Sequence, residues 1–223
     1  MDLWIFGYGS LMWRPGFVFE DSSRALLEGA HRELCCYSFI HRGTKSVPGL
    51  VLGLDKGGRC DGMAFRVPPR LDLDTRHYLK RRENMNNVYA AVKRPVKLLD
   101  GSGRTVLALC FFMRRHHRQY TGRVPLEMQA AMVRRSRGRA GPNIDYVVNT
   151  VQHLRQLGVH DPRLEPLMAM LGHSVAKDCI LGGDCSPARK GPAVDVARPL
   201  ATIPSWKSGI EPAPLARDIS SCD

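Results

Sequence analysis

The order of the local signals is what most constrains this chain. Short β-type segments separated by glycine-rich turns dominate its first half, with one helical stretch over 71–83 among them, and the chain turns mainly helical from Leu126. Strands alternating with helices would imply a parallel sheet with crossovers. Strands first and helices last imply an α+β fold with a mostly antiparallel sheet, one able to curl into a barrel with flanking helices.

The individual elements follow from pattern. Residues 3–6 read as a short buried strand ending at Gly7. Residues 33–40 read as a second strand. Residues 49–54 and 62–67 predict a hairpin turning at Asp55-Lys56-Gly57-Gly58. Residues 71–83 predict a helix. Residues 88–98 and 105–113 predict two more strands, joined at Leu99-Asp100-Gly101-Ser102-Gly103. Helices are predicted over 126–137 and 143–157. On the latter, Ile144, Val147, Val148, Val151 and Leu154 share one face. Asn143 is placed to cap it and Gly158 to end it. Asp161 and Pro162 offer an N-cap and a first-turn proline for a helix over 164–171.

Periodicity stops at Ser174. Residues 174–223 hold six of the fifteen prolines, few aromatics and no sustained apolar face. A domain over 1–173 and a disordered tail over 174–223 are expected.

Charge narrows the range of partners. The tail carries six Lys/Arg and six Asp/Glu, so the formal +12 belongs entirely to residues 1–173. Such a domain attracts anions, whether nucleic acid, an acidic membrane surface or an anionic small molecule. No run of 18 apolar residues suggests a membrane span. The opening Met1-Asp2-Leu3-Trp4 lacks the basic and apolar regions of a secretion signal. Seven cysteines, an odd number with no C-x-x-C pair, fit a reduced cytoplasmic protein.

Two places invite a chemical reading. After the first strand comes Gly7-Tyr8-Gly9-Ser10-Leu11, where successive amides can form an anion-binding concavity. It is not a dinucleotide loop, because Met12 stands where a third glycine belongs and Trp13-Arg14-Pro15-Gly16 breaks the helix that should follow. A tight turn without a ligand is the competing reading. Glu83 lies at the junction of a predicted helix and strand, where side chains often face a cleft. Taken alone, it reads more readily as a surface glutamate paired with Arg82 or Lys80.

Together these segments resemble a known family. Trp4-Ile5-Phe6-Gly7-Tyr8-Gly9-Ser10-Leu11-Met12-Trp13-Arg14-Pro15 is similar to the opening of the ChaC-type, glutathione-specific γ-glutamylcyclotransferases. Arg42-Gly43-Thr44 with Pro48-Gly49, then Lys80-Arg81-Arg82-Glu83 with Tyr89, then Gly141-Pro142-Asn143-x-x-Tyr146, resemble later motifs in the same order. The resemblance spans about residues 2–172. Many members carry arginine where this chain has Leu50, and glycine before the aromatic where it has Asn86-Asn87-Val88.

The resemblance implies a mostly antiparallel β-barrel with flanking helices, and a reaction without a metal or cofactor. The α-amine of a γ-glutamyl group attacks its own side-chain carbonyl. Glutathione then yields 5-oxoproline and Cys-Gly. Glu83 is the implied general base and acid. Tyr8, Gly9, Ser10, Leu11, Arg42 and Tyr89 are implied to bind substrate, Arg42 as a bidentate clamp on a carboxylate. Another γ-glutamyl amine is the alternative substrate.

A different class of function stays open beside it. Arg114-Arg115-His116-His117-Arg118 and Arg134-Arg135-Ser136-Arg137-Gly138-Arg139 could follow the phosphates of a nucleic acid, or serve an interaction protein on the same fold. A small-molecule substrate is preferred, because few aromatics interleave with these charges. His116 and His117, read as neighbours in a strand, would face opposite ways and chelate poorly.

Overall fold

The computed structural model describes residues 2–83 and 87–172. The predicted tail over 174–223 lies outside the described residues. The chain runs β1 (Leu3–Gly7), β2 (Asp21–Ser38), β3 (Gly49–Val67), α1 (Asp72–Glu83), β4 (Tyr89–Leu98), β5 (Thr105–Met113), α2 (Leu126–Arg135), β6 (Arg137–Gly138), β7 (Gly141–Pro142), α3 (Asn143–Gln156) and α4 (Leu164–Met170).

The first five strands close a barrel in the order β1-β3-β2-β4-β5. Its pairings are antiparallel except where β5 runs parallel to β1 and to β3. β1 is short and buried throughout, with Ile5 and Phe6 fully enclosed. It wedges between β3 and β5 and stops at Gly7. Past that point β3 meets β5 directly, Leu54 opposite Phe112. The glycine loop therefore leaves the barrel wall where β1 ends.

The middle of the chain differs from its sequence pattern. Residues 49–54 and 62–67 are not two arms of a hairpin. They belong to the single strand β3, which pairs with β2 from Asp21↔Arg66 to Ser38↔Gly49. β2 in turn starts twelve residues before the strand read over 33–40. Gly57 and Gly58 do adopt positive φ, but opposite Gly29, where the register shifts between Glu28 and Ala30. The glycines make a bulge rather than a reversal. A bulge bends and twists the ribbon, which lets two strands of this length wrap around a core.

The real turn of this hairpin is the loop over 39–48, closed by two glycines of the sequence motif. A Cβ on Gly43 would sit 2.1 Å from the Gly49 nitrogen and 2.6 Å from the Ser38 carbonyl oxygen. Only glycine permits that approach. The β4–β5 hairpin turns as expected, with Gly101 and Gly103 at positive φ. His116 and His117 lie in a turn rather than a strand, and the His117 Nδ1 accepts the Gln119 N–H.

Helices α2, α3 and α4 pack on one another, and α2 and α3 lean on β3. Helix α2 stops two residues short of its predicted end, because β6 and β7 form a small hairpin there. Val147, Val151 and Leu154 of α3 are buried as the periodicity predicts. Asn143 does not cap this helix. It is fully buried and pairs with the backbone of β3, accepting the Leu50 N–H at 2.6 Å and donating to the Leu50 carbonyl at 2.8 Å. Asp161 behaves as predicted, accepting the N–H groups of Arg163 and Leu164 ahead of α4.

Candidate active site

The glycine loop, the end of α1 and the middle of β3 converge on one cavity. Tyr8, Gly9, Ser10, Leu11, Val51, Leu52, Glu83, Tyr89 and Tyr146 line it. The cavity opens to solvent, and its volume is about 100 Å³. That is room for roughly three waters, so it suits one small head group rather than a whole peptide.

Helix α1 delivers Glu83. Its first turn carries Asp72 and Asp74 and its last turn Lys80, Arg81 and Arg82, an arrangement that suits the helix dipole. Thr75 and Leu79 anchor it to the barrel. Glu83, its last residue, is 17% exposed and 3.1 Å from the Arg82 Nε. Burial raises the pKa of its carboxyl above the ordinary glutamate value, and the charge and hydrogen bond of Arg82 only partly oppose this. The pairing with Arg82 expected of a surface glutamate therefore exists, but at a partly buried side chain facing a cavity.

Arg82 also ties down the loop opposite. Its Nη1 donates to the carbonyls of Arg14 at 2.6 Å and Pro15 at 3.0 Å, and to the Tyr78 hydroxyl at 2.9 Å. Its Nη2 donates to the Ser10 Oγ at 3.1 Å. One guanidinium thus fixes the catalytic-candidate carboxylate relative to the glycine loop.

The loop presents donors. Ser10–Met12 form a single 3₁₀ turn, with Gly9 preceding it. The Gly9 carbonyl accepts the Met12 N–H and the Ser10 carbonyl accepts the Arg14 N–H. The N–H groups of Gly9, Ser10 and Leu11 take no partner among the described residues, as expected at the start of a helical turn. They can serve an anion or a developing oxyanion.

Three tyrosines complete the wall. The Tyr89 hydroxyl donates to the Leu52 carbonyl at 3.0 Å, and the Tyr146 hydroxyl accepts the Leu52 N–H at 3.1 Å. With Asn143 on Leu50, side chains satisfy both peptide groups of β3 beside the cavity. This is the physical reason for the spacing in Gly141-Pro142-Asn143-x-x-Tyr146. Positions i and i+3 of α3 meet alternate residues of a strand. Burial holds all three phenols protonated, pushing Tyr146 up to about 12 and Tyr8 and Tyr89 well above the usual value.

Glu83, Tyr8, Gly9, Ser10, Leu11 and Tyr89 are thus brought together. Arg42 is not among the lining residues. Its guanidinium lies 5.6 Å from the Tyr146 ring centre and donates to the Pro142 carbonyl at 3.1 Å. Leu50 is fully buried, so at this position the chain offers the cavity no side chain. Asn87 adopts φ 55°, a left-handed conformation that asparagine tolerates almost as glycine does. Sequence reasoning missed Val51 and Leu52, which look like any apolar strand. Tyr146 stood in it only as part of a motif, and Arg82 only as a surface partner of Glu83. Parts of the basic clusters have internal partners. Arg115 pairs with Asp55 at 2.7 Å, Arg114 donates to the Tyr89 carbonyl, and Arg134 donates to the Met170 carbonyl.

The architecture is a barrel in which one partly buried carboxylate faces a cradle of free amides. Comparison with known proteins agrees. The family described as ChaC-like protein matches residues 3–174. The glutathione-specific γ-glutamylcyclotransferase of Escherichia coli K12 is 34% identical over 176 residues, covering 79% of this chain and 75% of that protein. A human glutathione-specific γ-glutamylcyclotransferase 1 is 29% identical over 174 residues, covering 76% of this chain and 78% of that protein. A crystal structure of a γ-glutamyl cyclotransferase specific to glutathione from yeast superposes with a TM-score of 0.68 at 20% identity, covering 77% of this chain and 98% of that one. The chain belongs to the ChaC-like family.

Proposed function

We propose that this chain is a γ-glutamylcyclotransferase that cleaves glutathione to 5-oxoproline and Cys-Gly, with Glu83 as its general base and then its acid. The observation that carries this reading is the meeting of Glu83, its pKa raised by burial, with the free amides of Gly9, Ser10 and Leu11 in one cavity. The substrate is argued from the relatives, which are named for glutathione. The positive charge of the chain suits a substrate with two carboxylates.

The chemistry needs one proton moved twice. The γ-glutamyl amine starts largely as an ammonium. Glu83 accepts its proton, and the freed nitrogen attacks the γ-carbonyl carbon. A new C–N bond closes the five-membered ring, and the carbonyl oxygen becomes an oxyanion. The loop amides stabilise that charge. As it collapses, the bond to the cysteinyl nitrogen breaks, Glu83 returns the proton to the leaving amine, and the ring nitrogen, which still carries two protons after the attack, releases one of them to solvent. No water is consumed. A carboxyl with a raised pKa is a better donor in this second step than an ordinary glutamate. The small cavity holds the γ-glutamyl group folded on itself, and such positioning is worth roughly 7–11 kcal/mol.

Arg42 has a supporting role in this reading, orienting Tyr146 from behind the cavity. The reading also places the enzyme in the reducing cytoplasm, consistent with the free, buried thiols of Cys35, Cys36, Cys60 and Cys110. No helix among the described residues is long and apolar enough to cross a membrane.

Mass spectrometry of purified protein with glutathione tests the reading. Wild type is expected to release 5-oxoproline and Cys-Gly in equal amounts, and Glu83→Gln to release neither while keeping its fold. Full turnover by Glu83→Gln would remove the assigned role. Product only from another γ-glutamyl amine would replace the substrate.

A further inference from the structure

We propose that Arg32, outside the cavity, is a positioning residue that sets the glycine loop in its donor orientation. Its side chain is 1% exposed and sits on the core side of the loop. The Nε donates to the Tyr8 carbonyl, and the Nη2 donates to the Asp61 carbonyl at 2.7 Å. The Nη1 meets the Asp161 carboxylate at 2.5 Å, and that carboxylate also accepts the amides ahead of α4. The guanidinium is held from several sides, so the bond to Tyr8 comes from a fixed donor.

The consequence follows from peptide geometry. No peptide bond among the described residues is cis. In a planar trans peptide, the carbonyl of one residue and the N–H of the next point in opposite directions. The Tyr8 carbonyl is turned toward Arg32. The Gly9 N–H is therefore turned away from Arg32, and Gly9 is part of the cavity wall. Arg32 thereby fixes the direction of a donor it does not touch.

Glycine makes this restraint necessary. Gly9 sits at φ −136° and ψ −133°. Rotating the Tyr8–Gly9 peptide by half a turn would bring φ of Gly9 to positive values, which glycine accepts at little cost. It would also put the Tyr8 carbonyl oxygen into the cavity, where it would repel a carboxylate or an oxyanion. A β-carbon at position 9 would forbid the flipped form. Its absence leaves that task to the hydrogen bond from Arg32. The buried charge of Arg32 is compensated by Asp161, so the barrel and the α3–α4 connection together hold the loop in register.

The inference rests on the reading of the loop amides as the donors that serve the substrate. Its test is a comparison of Arg32→Lys with Leu167→Ala. Arg32→Lys keeps a positive charge for Asp161 but lacks the planar fork that reaches Tyr8 as well. Leu167→Ala opens a cavity at a fully buried position of α4 and serves as a purely structural control. Both are melted, and kcat and KM are measured with glutathione. Loss of one such donor typically lowers kcat by about 10²–10³-fold. Arg32→Lys is expected to lose roughly that much kcat/KM, beyond any loss in Leu167→Ala at an equal or larger drop in Tm. A loss in Arg32→Lys that merely follows stability along the same line as Leu167→Ala would overturn the proposal.

A second measurement covers an Arg32→Lys protein that does not fold. Wild-type protein labelled with ¹⁵N-glycine is titrated with 5-oxoproline, and the Gly9 amide is followed by NMR. A downfield move of its proton on binding supports the orientation. Binding without any response at Gly9 overturns it. Absence of turnover by wild type would refute the glutathione reading. Absence of any 5-oxoproline binding, with turnover intact, would refute the loop's service to the product and with it this proposal.

Discussion

Arg82 offers the sharpest test of the electrostatics. Among the described residues it is the cation in contact with the Glu83 carboxylate, at 3.1 Å, with the two side chains 19% and 17% exposed. It cannot swing away, because its remaining nitrogens are bound to Arg14, Pro15, Tyr78 and Ser10. Two unit charges at 3.1 Å attract by about 5 kcal/mol at an effective dielectric near 20, before the desolvation of either. Burial works against this attraction and prevails, since the Glu83 pKa is raised overall. Arg82 is therefore what keeps that rise in check.

Replacing it with glutamine removes the opposing cause and leaves the burial. An opposite charge this close typically moves a carboxyl pKa by about 1–3 units. Glu83 must be ionised to accept the first proton, so a higher pKa carries the acid limb of the rate profile toward neutrality. Arg82→Gln is expected to shift the acid limb of kcat/KM upward by about 1–3 pH units. Arg82→Lys, which keeps the charge, should shift it less. The assay is 5-oxoproline release from glutathione across the acid and neutral range, with the melting temperature of each variant recorded. A uniform drop with the acid limb unmoved would refute the reasoning. Arg82 would then act by holding the loop alone.

Other consequences follow from the same geometry. The raised pKa of Glu83 means that the folded state holds this proton more tightly than the unfolded chain. Stability should fall as pH rises from the unfolded value of about 4.3 through the raised folded value. Glu83→Gln should abolish that fall, so its Tm advantage over wild type should appear above this window and vanish below it; parallel Tm curves would contradict the assignment. Asn143→Ala leaves the Leu50 N–H and carbonyl without their side-chain partner. At about 1–3 kcal/mol for each buried group and roughly 2–4 °C per kcal/mol for a chain of this size, the melt should drop by roughly 4–24 °C. A drop of less than about 2 °C would mean that water replaces Asn143. Gly43→Ala puts a methyl 2.1 Å from the Gly49 nitrogen, and soluble expression of that variant at wild-type level would show that the 39–48 loop yields more easily than its packing implies.

What the sequence revealed of this site depended on how local each determinant is. The Gly7-Tyr8-Gly9-Ser10-Leu11 loop was legible because its glycines mark the end of a strand, whereas Glu83 stood out only when its motif was read together with that loop as a family resemblance. Long-range pairing was not legible. Gly57 and Gly58 carry the mark of a turn, and only the partner strand, with Gly29 opposite, makes them a bulge. Asn143 carries the mark of a cap, and only the proximity of Leu50 turns its amide into a surrogate strand partner. Arg42 reads as a substrate clamp in the sequence, and only the fold shows that its Nη1 meets the Pro142 carbonyl and that its guanidinium lies over the Tyr146 ring.

Arg32 is the extreme case, a charged residue just ahead of the strand read over 33–40, where nothing in the sequence marks it. Its contacts reach Tyr8, 24 positions earlier, and Asp161, 129 positions later. In this fold the reacting groups are written locally, while the restraints that aim them are written across the chain. Substitutions that disarm the site without touching substrate should therefore concentrate at Arg32, Asn143 and Arg82. Each of these is a side chain that binds the backbone of another segment, so each converts the rigidity of the barrel and its helices into the direction of a donor or a carboxylate.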